Sequence, residues 1–140
     1  MEGVTITRPV IVKVRATDGF KRALIGEIEA RLKNVERDIE RLDFEIRRAR
    51  AAGERLAQVE RHLQEERARR VDFRHNLLEQ LRAAGELKVG QEVIRGRAES
   101  LVEVRIGDDW RRLLPVEVVV EEGRIVAIRE AEEENLWETR

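Results

Sequence analysis

A strict seven-residue repeat of apolar side chains covers residues 25–49. The apolar positions step alternately by three and four residues and are Ile25, Ile28, Leu32, Val35, Ile39, Leu42, Ile46 and Ala49. This spacing predicts a long helix with a narrow apolar seam that packs on a second helix as a coiled coil. Most residues between these positions are charged, which indicates that the other faces of the helix lie in water.

A second helical segment, residues 54–84, has a weaker seam. Its apolar positions are Leu56, Val59 and Leu63 at the start and Phe73, Leu77 and Leu81 at the end. Gly53 is a modest stop signal between the two segments. We therefore expect a helical hairpin over residues 17–84 with its tip near 50–54. One unbroken helix is the alternative, but only a hairpin returns the chain towards its first strand.

The middle of the second helix, residues 64–70, is almost wholly charged. Antiparallel pairing about Gly53 places this stretch opposite Val35 to Leu42, so a single hairpin is expected to leave those apolar residues poorly covered. Aliphatic stems of arginine side chains could cover part of that surface, or a second copy of the protein could. The mismatch favours a homo-oligomer that assembles through the helical arm.

Residues 1–16 and 85–130 alternate between apolar and polar side chains, and many of the apolar ones are β-branched, which is typical of strands. The first strand has no strand-like neighbour in sequence, so it must pair with the C-terminal part of the chain. Pro9 lacks an amide hydrogen and predicts a bulge, a strand start or an exposed edge. The expected fold is α+β, with the hairpin joined to a small antiparallel sheet or partly closed barrel. Residues 131–140 form an acidic tail.

Composition narrows the possible functions. Charged residues make up 41% of the chain and aromatic residues 4%, which favours an elongated protein with modest cores. The net charge of −1 lacks the strongly basic footprint of a dedicated nucleic-acid binder. The chain has no cysteine, which excludes disulfides and thiolate metal sites. No apolar run approaches the ~20 residues of a membrane-spanning helix, so we expect a soluble, cytoplasmic protein without a membrane partner.

Catalytic, cofactor and metal sites are not predicted. His62 and His75 lie on one helix without the i, i+4 spacing of paired metal ligands. Ser100 has no histidine or lysine nearby in sequence with which to build a nucleophilic triad. The residue pattern therefore predicts a protein that is not an enzyme.

Asp108, Asp109 and Trp110 form the most distinctive local cluster. One interpretation is a cation or partner site at a loop rim, with Trp110 as an anchor. The other is a turn in which the aspartates accept hydrogen bonds from backbone amides while Trp110 caps the sheet core.

Four arginines, Arg47, Arg48, Arg50 and Arg55, gather at the predicted tip of the hairpin. They could contact phosphate groups on an arm that probes RNA. They could equally form an ordinary mixed-charge helix surface, because acidic residues lie among them. Phe44 lies off the seam, where it either widens the contact between the helices or touches a second chain.

Several segments together resemble a known family. The first strand is Val-Ile-Val-Lys-Val (10–14), the segment 107–110 is Gly-Asp-Asp-Trp, and 121–123 is Glu-Glu-Gly before a closing strand. In this order they resemble the YlqD-like family of small uncharacterised bacterial proteins. The resemblance implies no activity and no site residues. Genes of this family lie among ribosome-maturation genes in some bacteria, which favours work with RNA or the ribosome.

The leading functional hypothesis is a non-enzymatic interaction or scaffold protein that self-associates through its coiled-coil arm and has a protein partner of unknown identity. The alternative is an RNA- or ribosome-associated factor that uses the arginines of the arm.

Overall fold

The computed structural model describes residues 1–131, which form two compact units. One unit contains Met1–Phe20 and the described residues from Lys88 onward, and the other is Lys21–Leu87. The main elements are β1 (Gly3–Arg15), α1 (Asp18–Ala51), α2 (Ala57–Glu86), β2 (Glu92–Arg105), β3 (Val116–Glu121) and β4 (Arg124–Glu130). Short 3₁₀ helices, η1 (Gly53–Leu56) and η2 (Trp110–Leu113), precede α2 and β3. The fold class is α+β, as predicted.

The helical unit breaks at Gly53, whose φ of 74° ends the helical geometry of α1. Asp43 pairs with Arg67 at 2.6 Å, and Arg50 pairs with Glu60 at 3.0 Å. Since the partner's number falls as the residue number in α1 rises, the two helices run antiparallel.

Neither α1 nor α2 is long and apolar enough to cross a membrane, and this holds for every helix in the described part of the chain.

Six residues of the α1 repeat are buried within the single chain, and they are Ile28, Leu32, Val35, Leu42, Ile46 and Ala49. Val35 and Leu42 are each only 2% exposed, so the expectation that a single hairpin leaves them poorly covered is wrong. Two arginines of the charged middle, Arg67 and Arg70, reach across to carboxylates of α1. Side chains anchored in this way lay their aliphatic stems along the space between the helices.

The sheet has the strand order β2-β1-β3-β4. β1 pairs antiparallel with β2 and parallel with β3, and β3 pairs antiparallel with β4. The sheet is therefore mixed and open, and the predicted antiparallel sheet or partly closed barrel is corrected. The cause is the position of β1, which lies between β2 and β3 instead of completing an edge. β2 ends at Arg105 beside Gly3, at the start of β1. A short connection then brings the chain to the far side of β1, so β3 runs in the same direction as β1.

Pro9 lies where the surroundings of β1 change. Pairing with β2 extends from Gly3 to Arg15, whereas pairing with β3 begins only at Val10. Pro9 thus precedes the part of β1 that has strands on both sides, and a residue without an amide hydrogen is tolerated at such a position.

Local turns and caps follow the sequence closely, with one exception. β3 and β4 are joined by Glu122 and Gly123, with φ values of 50° and 77°, as expected for the two-residue turn that matches strand twist. The Thr17 hydroxyl accepts a hydrogen bond from the Phe20 amide at 3.1 Å and caps α1. The second helix, expected over residues 54–84, continues through Gly85 and ends at Glu86.

Candidate interaction surfaces

The carboxylates of Asp108 and Asp109 are used inside their own turn. The Asp108 carboxylate accepts hydrogen bonds from the Arg105 amide at 2.8 Å and from the Arg112 guanidinium at 3.0 Å. Asp109 accepts from the Arg111 amide at 3.0 Å. Within residues 1–131, no group of three or more His, Cys, Asp or Glu side chains is placed to hold a metal ion. The two aspartates shape the turn, which matches the structural interpretation of this cluster.

Trp110 does not cap the sheet core, because its side chain is 66% exposed. It forms one wall of a pocket of about 350 Å³, which Val4, Val104, Ile106 and Leu113 also line. Val4 and Val104 are cross-strand partners on one side of the sheet. The pocket therefore opens next to that side, and Trp110 is available to a partner.

The same side of the sheet carries an almost continuous apolar surface, which we call the valine face. Strand pairing aligns Val10, Val12 and Val14 of β1 with Val116, Val118 and Val120 of β3. Together with residues of the other strands, the valine face contains Val4, Ile6, Val10, Val12, Val14, Val93, Ala98, Val102, Val104, Val116, Val118, Val120, Ile125 and Ile128. Its polar members are Arg8, Ser100 and Glu130.

The valine face is only partly covered. Val10, Val12 and Val14, on a central strand, are each partly exposed. On the edge strand β4, Ile125 is 62% exposed and Ile128 is 68% exposed. β-branched side chains with this much contact with water are unusual over a whole sheet face, and contiguous apolar surface of this kind marks interaction sites.

On the other side of the sheet, here the buried face, the residues around Lys13 and Glu117 are shielded from water although two of them are charged. Ile11, Glu117 and Val119 are at most 1% exposed, and Lys13 is 8% exposed. The Lys13 ammonium lies 3.0 Å from one Glu117 oxygen. The Arg129 guanidinium donates to the other oxygen at 2.9 Å. A buried carboxylate needs such pairing, because its desolvation is costly.

Arg129 extends this network to the sheet edge. Its guanidinium also donates to both carboxylate oxygens of Glu92, which Arg15 approaches at 3.4 Å. The hydrogen bond from Arg129 is the main reason that the pKa of Glu92 lies below its ordinary value. The hydrogen bonds to Glu92 and then Glu117 raise the pKa of Arg129 further. The network joins side chains from all four strands of the sheet.

At the tip of the hairpin, the predicted arginines differ in their contacts. Arg50 is tied to Glu60, and Arg48 stacks over the Phe44 ring with its guanidinium carbon 5.8 Å from the ring centroid. Arg47, Arg48 and Arg55 are exposed and form no ion pair with any residue among the 131 described. Phe44 is 53% exposed, so it widens no contact between the two helices.

Sequence reasoning identified the Trp110 cluster and the tip arginines but missed the valine face and the charge network. Alternation along β1 separates Val10, Val12 and Val14 from Ile11 and Lys13. It does not reveal which side is covered, nor which residues of distant strands share that side. Within residues 1–131, His62 and His75 each lie near one neighbouring glutamate on the surface of α2, at 3.9 Å and 3.4 Å.

These features define a class of protein: a small α+β protein that contains a helical hairpin and a mixed four-stranded sheet with one apolar side partly exposed. Residues 4–129 match the sequence profile of the YlqD protein family, and the chain belongs to this family. The predicted resemblance is therefore confirmed.

One solved structure shows the same fold over nearly the whole chain. It is the crystal structure of a protein of unknown function from Synechococcus sp. WH 8102, which is 27% identical in sequence. The match has a TM-score of 0.78 and covers 91% of this chain and 97% of that chain. No curated protein matches the chain at a significant level.

Proposed function

We propose that the chain is a non-enzymatic interaction protein of the bacterial cytoplasm that self-associates, and that its valine face is the contact between copies. The observation that carries this proposal is the partial exposure of that face across all four strands. Asp108 and Asp109 support a non-enzymatic role, because their carboxylates are already engaged by the turn that they shape.

The size of the valine face supports a specific contact. At about 4.8 Å between strands and about 3.3 Å per residue, it covers roughly 500 Å² of flat area per copy. Two stacked copies would together cover roughly 1,000 Å², which is about the minimum for a biological interface. Trp110 and Ile106, at 66% and 84% exposure beside the face, add to this area.

A second copy is the partner that the chemistry of the face favours. Partly exposed valines and isoleucines offer no charge pattern by which a polar partner could be selected. An identical apolar face matches it in both area and chemistry, and two sheets pack in this way about 10 Å apart.

The helical arm is a less favoured contact between copies, although it was the contact predicted from the sequence. The seam residues that were expected to need a second copy are buried within the hairpin, which supports coiled-coil packing of α1 on α2. Phe44 and Phe73 remain exposed on the arm, at 53% and 46%. They provide the alternative interface that the experiment below also examines.

The test is the mass of the purified chain by multi-angle light scattering over a range of concentrations. We expect a dimer or larger assembly, and we expect Ile128→Lys to reduce it to a monomer. The matched control is Leu101→Lys, because Leu101 is 76% exposed on the other edge strand. It lies opposite Thr7, on the other side of the sheet from the valine face.

A monomeric mass for the unmodified chain at high concentration would overturn the proposal. So would an assembly that Ile128→Lys leaves intact but that Phe44→Lys with Phe73→Lys dissociates, because the interface would then lie on the arm. Circular dichroism and thermal unfolding establish that each variant is folded before its mass is interpreted.

An RNA- or ribosome-associated role remains the second candidate function. The observation that favours it is the set of exposed tip arginines, Arg47, Arg48 and Arg55, which have no carboxylate partner among the described residues. RNA is one arm of the binding experiment in the next subsection.

A further inference from the structure

The tip of the hairpin holds a recess of about 410 Å³ between the end of α1 and the start of α2. Its apolar lining consists of Ala49, Ala52, Leu56, Val59 and Leu63. Val59 is 46% exposed, so the apolar floor is open to a ligand. The recess exists because the helices are bridged by the short turn η1 at Gly53, where small alanine side chains leave space.

Positive charge borders the apolar floor. Arg48 and Arg55 line the recess from α1 and η1. Arg48 is held over the Phe44 ring, which limits the freedom of its guanidinium and lowers the entropic cost of binding there. The lining also includes Glu45, whose carboxylate lies 4.0 Å from the Arg41 guanidinium.

The arginines of the recess differ from three arginines in the middle of the arm. Arg67, Arg70 and Arg74 are each within 4 Å of a carboxylate on α1. Their charge is therefore matched inside the hairpin. Arg48 and Arg55 have no such partner within the described chain, so a carboxylate brought by a ligand would not have to displace an existing ion pair.

We propose that this recess binds an acidic amphipathic segment of a partner protein, with an apolar side chain of that segment on the alanine–leucine–valine floor and its carboxylates on Arg48 and Arg55. Guanidinium groups bind carboxylates through paired hydrogen bonds, and short apolar anchors at helical spacing fill grooves of this kind.

A protein segment fits the recess better than RNA does. The floor is aliphatic, whereas single-stranded RNA gains its affinity from aromatic platforms on which bases stack. This site is distinct from the valine face, so it can fail or hold independently of self-association.

The test measures binding of fluorescein-labelled probes to the full chain by anisotropy. The first probe is a short peptide of Glu and Leu, with leucines at helical i, i+3 and i+4 spacing. Matched peptides carry Gln in place of Glu, or Ser in place of Leu. The fourth probe is a single-stranded RNA oligonucleotide of similar length.

We expect the Glu/Leu peptide to bind more tightly than the other three probes. Arg48→Gln with Arg55→Gln should weaken its binding about tenfold or more, because two charge-assisted contacts are removed. The matched control is Arg37→Gln with Arg69→Gln, which removes the same charge from exposed positions of α1 and α2 outside the recess. That control should change the affinity less than twofold.

Val59→Ser examines the apolar floor without placing a new charge near Arg48 or Arg55. It should weaken the Glu/Leu peptide and leave the already weak Ser-substituted peptide unchanged. Three results would overturn the proposal: no binding of the Glu/Leu peptide, equal loss in the Arg37/Arg69 control, or tighter binding of RNA than of the peptide. The last result would assign the tip to nucleic acid.

Discussion

One side of the four-stranded sheet buries charged residues, whereas the other side leaves apolar residues partly exposed. The buried face excludes water from Glu117 completely and from Lys13 almost completely, although both are charged. The valine face is nearly all apolar, yet residues on all four of its strands remain in contact with water. In most single-layer sheets, the apolar side is the one that is covered.

The difference shows how the sheet can be stable as a single chain while part of its apolar side remains exposed. On the buried face, ion pairs from Lys13 and Arg129 satisfy both oxygens of Glu117, so a charged group can be buried. The valine face contributes less to the stability of the single chain, because part of its apolar area remains exposed. That remaining area is available for association.

The largest effect is expected from breaking the charge network of the buried face. Glu117→Ala removes the partner of Lys13, which is 8% exposed, and leaves a buried ammonium without its carboxylate. We expect a loss of about 3–5 kcal/mol in the free energy of unfolding, as for other broken buried ion pairs. Urea unfolding followed by circular dichroism measures this loss.

The control for this variant is Glu121→Ala on the same strand. Its carboxylate is 37% exposed and lies 3.9 Å from Arg15, and exposed pairs of this kind contribute at most about 1 kcal/mol. Equal losses in the two variants would show that the buried network has no special role.

The second effect compares two adjacent valines of β3 that face opposite sides. Val119 is fully buried, whereas Val118 lies on the valine face and is partly exposed. We expect Val119→Ala to cost about 2 kcal/mol through the loss of two buried methyl groups and the cavity that they leave. Val118→Ala should cost less than half of this at low protein concentration.

The concentration dependence of these two variants links stability to association. If a second copy covers the valine face, the cost of Val118→Ala increases as the protein concentration is raised, because association stabilises the folded state by mass action. The cost of Val119→Ala should not change. Thermal unfolding at several concentrations measures both, and identical behaviour of the two variants would argue against a contact at the valine face.

The sequence predicted the helical unit better than the sheet, and the reason is the range of the interactions. The repeat from Ile25 to Ala49 and the break at Gly53 lie within one stretch of chain, so helix, turn and seam can be read locally. The pairing of β1 with β2 and β3 joins residues that are at least 77 positions apart. Alternation predicts that β1 is a strand, but it does not predict that β1 is central, nor that one pairing is parallel.

The same distinction applies to the candidate sites. Asp108 and Asp109 shape a turn, which local residue types indicate correctly. Trp110 was interpreted either as an anchor for a partner or as a cap of the core, and its environment depends on Val4 and Val104, which only the strand register brings beside it. The charged middle of α2 suggested an uncovered seam, because pattern analysis does not anticipate that Arg67 would be anchored on Asp43.

The smallest expected effect concerns pH and the outer part of the charge network. The pKa of Glu92 lies below its ordinary value of about 4.5 in the folded chain, mainly because Arg129 donates a hydrogen bond to its carboxylate. A carboxylate with a depressed folded pKa stabilises the fold fully above its unfolded pKa. That contribution is lost as the pH falls through the folded pKa.

We therefore expect Glu92→Gln to destabilise the chain at pH 7 and to cost progressively less as the pH falls below about 4.5. Urea unfolding at a series of pH values measures this trend. The control is Glu103→Gln, because among the described residues Glu103 pairs with Arg105 on an exposed part of the same strand. A cost of Glu92→Gln that does not change over this pH range would contradict the prediction. The charge network that stabilises the fold would then be limited to the buried face, without its extension to the sheet edge.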